Sequence, residues 1–336
     1  MVFSCEKDTY VIDDNGKMPL AFNTDIFRSA GLKDNLFESG DQIGVMGYYL
    51  GGSTWTVDAT PNFMYNQLVS YDGAIWNYLP LKYWSNDRDD NFKFFAYYPY
   101  NARGMTLSQN NAKGFATISY IPPTKASEHV DFLTATTATI RNDAGKSIVL
   151  SFAHQLSQLL FSIKHNGSAT DEVKINSISL VGLKSYRGTY TRTGFEWDTN
   201  ITPLDIGSYT ATVADGEILP IQNQNINSID YQDIYTESGV FLFSPQKIEA
   251  NSLKITVNYQ YKTDTEMNYA NYEDIIIAKN SFELIKNKAI NMQISLDIMT
   301  AVAVRKNLFK PMPKAISTHN SAIQVKILPF NDLSRK

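Results

Sequence analysis

Apolar and polar residues alternate with a period of two along most of the chain. The cleanest stretch is Ala289–Ile298, where Ile290, Met292, Ile294, Leu296 and Ile298 share one face. That period is the mark of a half-buried strand, because successive side chains point to opposite faces. Leu253–Tyr261, LKITVNYQY, alternates without interruption, and Lys174–Leu183 nearly so. In the first half, Phe92–Tyr98 and Phe115–Ile121 read as strong strands, each closed by proline. Met18–Phe27, Ala59–Ser70, Ile75–Leu79 and Asp131–Ala138 are further candidates, and Leu36–Leu50 reads as a hairpin turning at Gly40-Asp41. Gly188–Trp197, Tyr209–Val213 and Val240–Phe243 continue the style in the second half. Glu217–Asp233 is a long connection rich in Asn and Gln, a length usual for a functional or mobile loop.

The most apolar long run is Ile148–His165, IVLSFAHQLSQLLFSIKH. Ile148, Leu150, Phe152, His154 and Leu156 fall on one strand face, and Leu159, Phe161 and Ile163 follow in the opposite phase. A one-residue phase change suits a bulge or a change of partners at Ser157. The rival reading is a short helix through Leu156, Leu159, Leu160 and Ile163. Many short strands, few helical windows and no βαβ rhythm predict an all-β chain of two sandwiches. The polar, turn-rich RNDAGK of Arg141–Lys146 sets the expected boundary. The predicted division is a tether at 1–17, sandwiches at 18–147 and 148–300, and a tail at 301–336. The run Ile148–His165 is then expected to open the second sandwich.

Composition narrows the function. The 336 residues suffice for two domains with cores of their own. Net charge is −4 without a strong basic cluster, which argues against a nucleic-acid partner. No apolar run reaches the about 18 residues that a spanning helix needs. Catalytic and cofactor signals are poor: there is no Gly-x-Ser-x-Gly turn and no phosphate-cradling glycine loop. The four histidines, His129, His154, His165 and His319, are not at metal spacing, and His154 reads as a hydrogen-bonded core residue. The chain therefore reads as neither enzyme nor cofactor carrier. Asp87, Asp89 and Asp90 resemble a calcium loop only loosely and fit a solvated turn better. Trp76, Tyr78, Tyr83, Trp84, Tyr97, Tyr98 and Tyr100 suit core packing, an interface, or a sugar-stacking platform on a carbohydrate-binding surface lipoprotein.

The single cysteine, Cys5, excludes an internal disulfide. Its setting, MVFSC, resembles the end of a bacterial lipoprotein signal, where the processed chain begins at a lipid-modified cysteine. Two acyl chains there would suffice for stable anchoring.

Five words in order carry a family likeness: LFESGDQIGVMGYY (36–49), WNYLPLKYW (76–84), FKFFAYYPY (92–100), DFLTA (131–135) and VLSFAHQLSQLLFSI (149–163). Together they resemble the fimbrillin-like proteins of type V pili of Bacteroidales, over roughly residues 18 to 300. The resemblance implies two transthyretin-like β-sandwich domains in tandem, a lipoprotein precursor at the outer membrane, and display in a cell-surface fimbria. It also implies pilin partners, with a host protein or glycan as a further partner. The resemblance further implies that subunits join by donor-strand exchange, as follows. A trypsin-like cut releases the first strand, and a neighbour's strand fills the groove. Arg28 best fits that cut, with Lys33 as substitute; an ordinary exposed arginine is the other reading. The tail departs from the family, which usually ends soon after the strand corresponding to Ala289–Ile298. Within it Ile323, Val325 and Ile327 alternate. They could form the donor strand, a strand of the second sandwich, or a poorly ordered end.

Overall fold

The computed structural model describes residues 16–26, 37–111, 113, 117–119, 129–142, 145–168, 170–190, 194–198, 204–205, 208–212, 225–226, 231–234, 241–263, 267–298, 315–317 and 322–328. Every named element among the described residues is a β-strand, as the alternation predicts.

The first large sheet runs in the order Phe22–Ile26, Ile148–His154, Leu133–Thr136, Asn91–Tyr98, Gln42–Gly51, Met64–Tyr71, Trp76–Asn77. Its two central strands are buried on both faces, which is why they read as nearly continuous apolar runs. Ile43, Val45, Phe92 and Phe94 join one core with Trp76, Tyr78 and Trp84. Met46, Tyr48, Phe95 and Tyr97 join another on the opposite face, together with Phe195 and Leu242 from the second half. The first sheet is thus cemented to residues that follow it in the chain.

The second half packs two sheets around an aliphatic core. One is ordered Gln232–Asp233, Ser157–His165, Ala289–Leu296, Ala322–Leu328. The other is ordered Ser208–Thr212, Glu172–Val181, Lys254–Lys262, Ala270–Ile277, Ala315–Ser317. Phe161, Ile163, Ile290 and Met292 of the first share a core with Ile175, Ile178, Ile255 and Val257 of the second. This is the sandwich arrangement expected when each sheet hides one face.

The run Ile148–His165 forms two strands, and the helical reading fails. Ile148–His154 pairs with Phe22–Ile26 and with Leu133–Ala135, inside the first sheet. Ser157–His165 pairs with Ala289–Leu296 and Phe241–Phe243, in the second half. The change of partners at Ser157 is as expected, but the run does not open the second sandwich as a unit: its first half completes the first sheet. Gln155 holds the crossing. Its N–H donates to Phe132 O at 2.9 Å, its Nε2 to Thr134 Oγ1 at 2.7 Å, and its carbonyl accepts from Trp197 Nε1 at 2.7 Å. The turn signal at Arg141–Lys146 instead follows a short strand of the first sheet, since Ile140–Arg141 pairs with Asn91–Phe92. Sheet allegiance therefore changes at Gln155–Leu156 and not near Ser147.

Two further readings change. Gly188–Trp197 is a hairpin rather than one strand, Arg187–Tyr190 pairing with Phe195–Asp198. Thr117–Ser119, from the first half, pairs with Arg187–Thr189 and makes that hairpin a three-stranded sheet.

Candidate functional site: the seat of the first strand

Phe22–Ile26 is the edge strand of the first sheet, and its alternation decides how it sits. Leu20, Phe22 and Ile26 are 2%, 3% and 6% exposed, while Asn23 and Asp25 face water. The strand runs parallel to Ile148–His154 in the register Phe22↔Ile148 to Ile26↔Phe152. Ile148 N–H donates to Ala21 O at 2.8 Å. On the other side, backbone hydrogen bonds grip the chain just before the strand. Leu20 N–H donates to Lys82 O at 2.8 Å, and Trp84 N–H donates to Met18 O at 3.1 Å.

Side chains from the segment after Met64–Tyr71 complete the seat. Tyr78 Oη donates to the Leu20 carbonyl at 2.9 Å. Burial pushes the Tyr78 phenol up to about 12, so it stays a neutral donor. The ring of Phe22 lies between Tyr78, at 5.6 Å between centroids, and Phe94, at 5.8 Å and edge-on. Trp76 Nε1 donates to Thr24 Oγ1 at 3.1 Å. Phe37 meets Trp76 and Phe152 edge-to-face at 5.1 and 5.3 Å. Burying Leu20, Phe22 and Ile26, at about 1.5–3 kcal/mol each, gives a gross gain of about 5–9 kcal/mol. A groove without this strand would present the backbone edge of Ile148–His154 and an aromatic floor.

Beside the seat lies a buried pair. His154 Nδ1 stands 2.6 Å from Asp131 Oδ2, and both side chains are shielded from water. It ties the end of Ile148–His154 to the chain entering Leu133–Thr136, the structural part expected of this histidine.

The tail strand Ala322–Leu328 forms the far edge of a second-half sheet. It runs antiparallel to Ala289–Leu296, with Ile323↔Ile294, Val325↔Met292 and Ile327↔Ile290. The three donor candidates are thus paired within their own chain. Cys5, Arg28, Lys33 and His319 lie outside the described residues, as does most of the long connection Glu217–Asp233.

The aromatic residues do not gather into one platform. Trp76, Tyr78 and Trp84 are buried in the core on one face of the sheet, and Tyr97 in the core on the other. Tyr83, Tyr98 and Tyr100 are half-buried. The aspartates at 87–90 build a turn: Asp89 N–H donates to Asp87 Oδ1 at 2.9 Å, Asp90 Oδ2 accepts from Tyr49 Oη at 2.8 Å, and Asp89 pairs with Arg141. The alternation in IWNYL places Trp76 and Tyr78 on one face, but no sequence signal shows that both donate to the first strand and the residue before it.

Comparison with known proteins agrees with this architecture. The family model described as fimbrillin-like matches residues 28–306. A curated relative, the fimbrium subunit Fim1C of Phocaeicola vulgatus strain ATCC 8482, is 26% identical over 286 residues, covering 71% of this chain and 74% of the relative. The crystal structure of a fimbrial protein from Bacteroides vulgatus ATCC 8482 superposes with a TM-score of 0.62 at 17% identity, covering 93% of this chain and 99% of that one. With the matched model spanning most of its length and the fold shared, the chain belongs to the fimbrillin-like family.

Proposed function

We propose that this protein is a structural or adhesive subunit of a cell-surface fimbria that joins other subunits by strand exchange. The observation that carries the reading is the seat of Phe22–Ile26: a short parallel edge strand whose inward side chains fill an aromatic groove. Arg28 follows that strand by two residues. A cut there would separate the strand from the rest of the chain, leaving it held by non-covalent contacts alone. A neighbour's strand entering the groove would restore both the backbone ladder and the apolar filling, which is strand addition. In this reading Cys5 carries the lipid that holds the precursor at the outer membrane, and the tail strand with Ile323, Val325 and Ile327 is a donor for the next subunit.

Treating the native full-length chain with an arginine-specific protease tests the release. The expected result is a new N-terminus at Ser29 followed by oligomers in size-exclusion chromatography. Resistance at both Arg28 and Lys33 under native conditions overturns it. For the tail, deletion of 321–336 is expected to abolish oligomers while the monomer stays folded; unchanged oligomers overturn its donor role.

A further inference from the structure

We propose that Trp76 selects which strand can occupy the groove, admitting one with a hydroxyl at the third inward position and disfavouring one that is apolar throughout. The inference deepens the strand-exchange reading and rests on it. The inward row of the resident segment is Leu20, Phe22, Thr24, Ile26: three apolar residues and a single hydroxyl. That hydroxyl meets Trp76 Nε1 at 3.1 Å. Trp76 is 7% exposed, and its indole is fixed by the rings of Phe37 at 5.1 Å and Tyr71 at 5.0 Å. An indole nitrogen can only donate. Trp76 is buried and Thr24 half-buried, so an occupant that offers no acceptor leaves the indole N–H poorly served by water, which weakens binding.

The partner defined by this geometry is an extended segment with large apolar residues two positions either side of a threonine or serine. The chain's own tail does not meet the rule. Ile323, Val325 and Ile327 form an apolar row of three. Each register that seats all three in a four-position row puts an apolar side chain at the third position. This groove therefore accepts the tail of an identical copy, as the oligomers expected above require, but holds a strand that offers the hydroxyl more tightly.

The test uses the full-length chain after arginine-specific cleavage, with labelled synthetic peptides as probes: residues 18–27, the same peptide with Thr24→Ser or Thr24→Val, and residues 321–330. Capture of the Thr and Ser peptides, with the Val and tail peptides bound roughly tenfold more weakly, is expected. The Trp76→Phe chain, which lacks the N–H, is expected to bind the Thr and Val peptides alike. Equal capture of Thr and Val peptides by the unaltered chain overturns the selection. If no peptide enters at all, strand exchange itself fails. A double-mutant cycle on the intact chain, with Thr24→Val, Trp76→Phe and both, then decides the selector separately. Coupled shifts in thermal midpoint support the Trp76–Thr24 recognition, and additive shifts overturn it.

Discussion

The molecule carries a terminal strand on an edge of each half, and the two are held differently. Phe22–Ile26 makes five parallel pairings with one neighbour. Its inward residues reach an aromatic floor, and two side-chain donors, Trp76 and Tyr78, meet its Thr24 hydroxyl and the carbonyl of Leu20 just before it. Ala322–Leu328 makes seven antiparallel pairings along Ala289–Ser295. Parallel pairing is slightly less stable per residue, so the first strand depends more on what its side chains meet. A backbone ladder accepts many sequences, whereas an aromatic groove with a placed N–H distinguishes them. The groove at the first edge, with its placed N–H, can therefore tell one side chain from another.

The sharpest way to break that contrast is to empty the groove. Phe22→Ala should cost about 3–5 kcal/mol, read as a lowered midpoint in denaturant, because it removes a ring packed between Tyr78 and Phe94. A loss below about 1 kcal/mol would mean that the first strand is not part of the core. Next in size is Asp131→Ala, expected to cost about 1–3 kcal/mol by removing the carboxylate that faces His154. If limited proteolysis then attacks the tail strand sooner than the first strand, the pair does not support the seat.

Tyr78→Phe should cost about 1–2 kcal/mol, chiefly the hydrogen bond to Leu20 O, with the longer ones to Lys82 O and from Lys82 N–H lost as well. It carries a pH signature. The folded pKa lies near 12 against an ordinary value of 10.0, so the folded state holds the proton more tightly. That contribution is complete below pH about 10 and is lost as pH rises toward about 12. Wild-type stability should fall over this window more steeply than that of the Tyr78→Phe variant; identical alkaline slopes would exclude Tyr78 as a clasp. The smallest effect is expected outside both edge strands, at Glu172. Its carboxyl is held below the usual range, first by the hydrogen bond from Lys262 and then by Tyr269. A depressed carboxyl contributes above its unfolded value and is lost as pH falls through the acid range. Glu172→Gln should shift the thermal midpoint slightly at low salt and not measurably at high salt.

Much of the fold was legible because strand faces are written in a period of two. Asn91–Tyr98, Lys254–Lys262 and Ala289–Leu296 stand where alternation places them. Partners are another matter. Ile148–His154 and Ser157–His165 announce their faces and the change between them, yet nothing local says which sheet each will join. Alternating threonines in Gly188–Trp197 read straight through a hairpin turn, although Gly194, at φ +139°, adopts a conformation that glycine alone takes readily. The seat was harder still. Trp76 and Thr24 are 52 residues apart, and Tyr78 and Leu20 are 58 apart. The sequence left packing, an interface and a sugar platform open for these rings; only the folded chain brings a donor opposite its acceptor.

Thr117–Ser119 gives the short sheet with Arg187–Tyr190 and Phe195–Asp198 a mechanical meaning. The chain leaves the first half at Gln155, yet a piece that precedes this exit is already stitched to strands that follow it. That strap adds a backbone ladder to the covalent crossing and to the core that Phe195 and Leu242 share with the first sheet. Any separation of the halves would first have to break the pairing of Thr117–Ser119 with Arg187–Thr189.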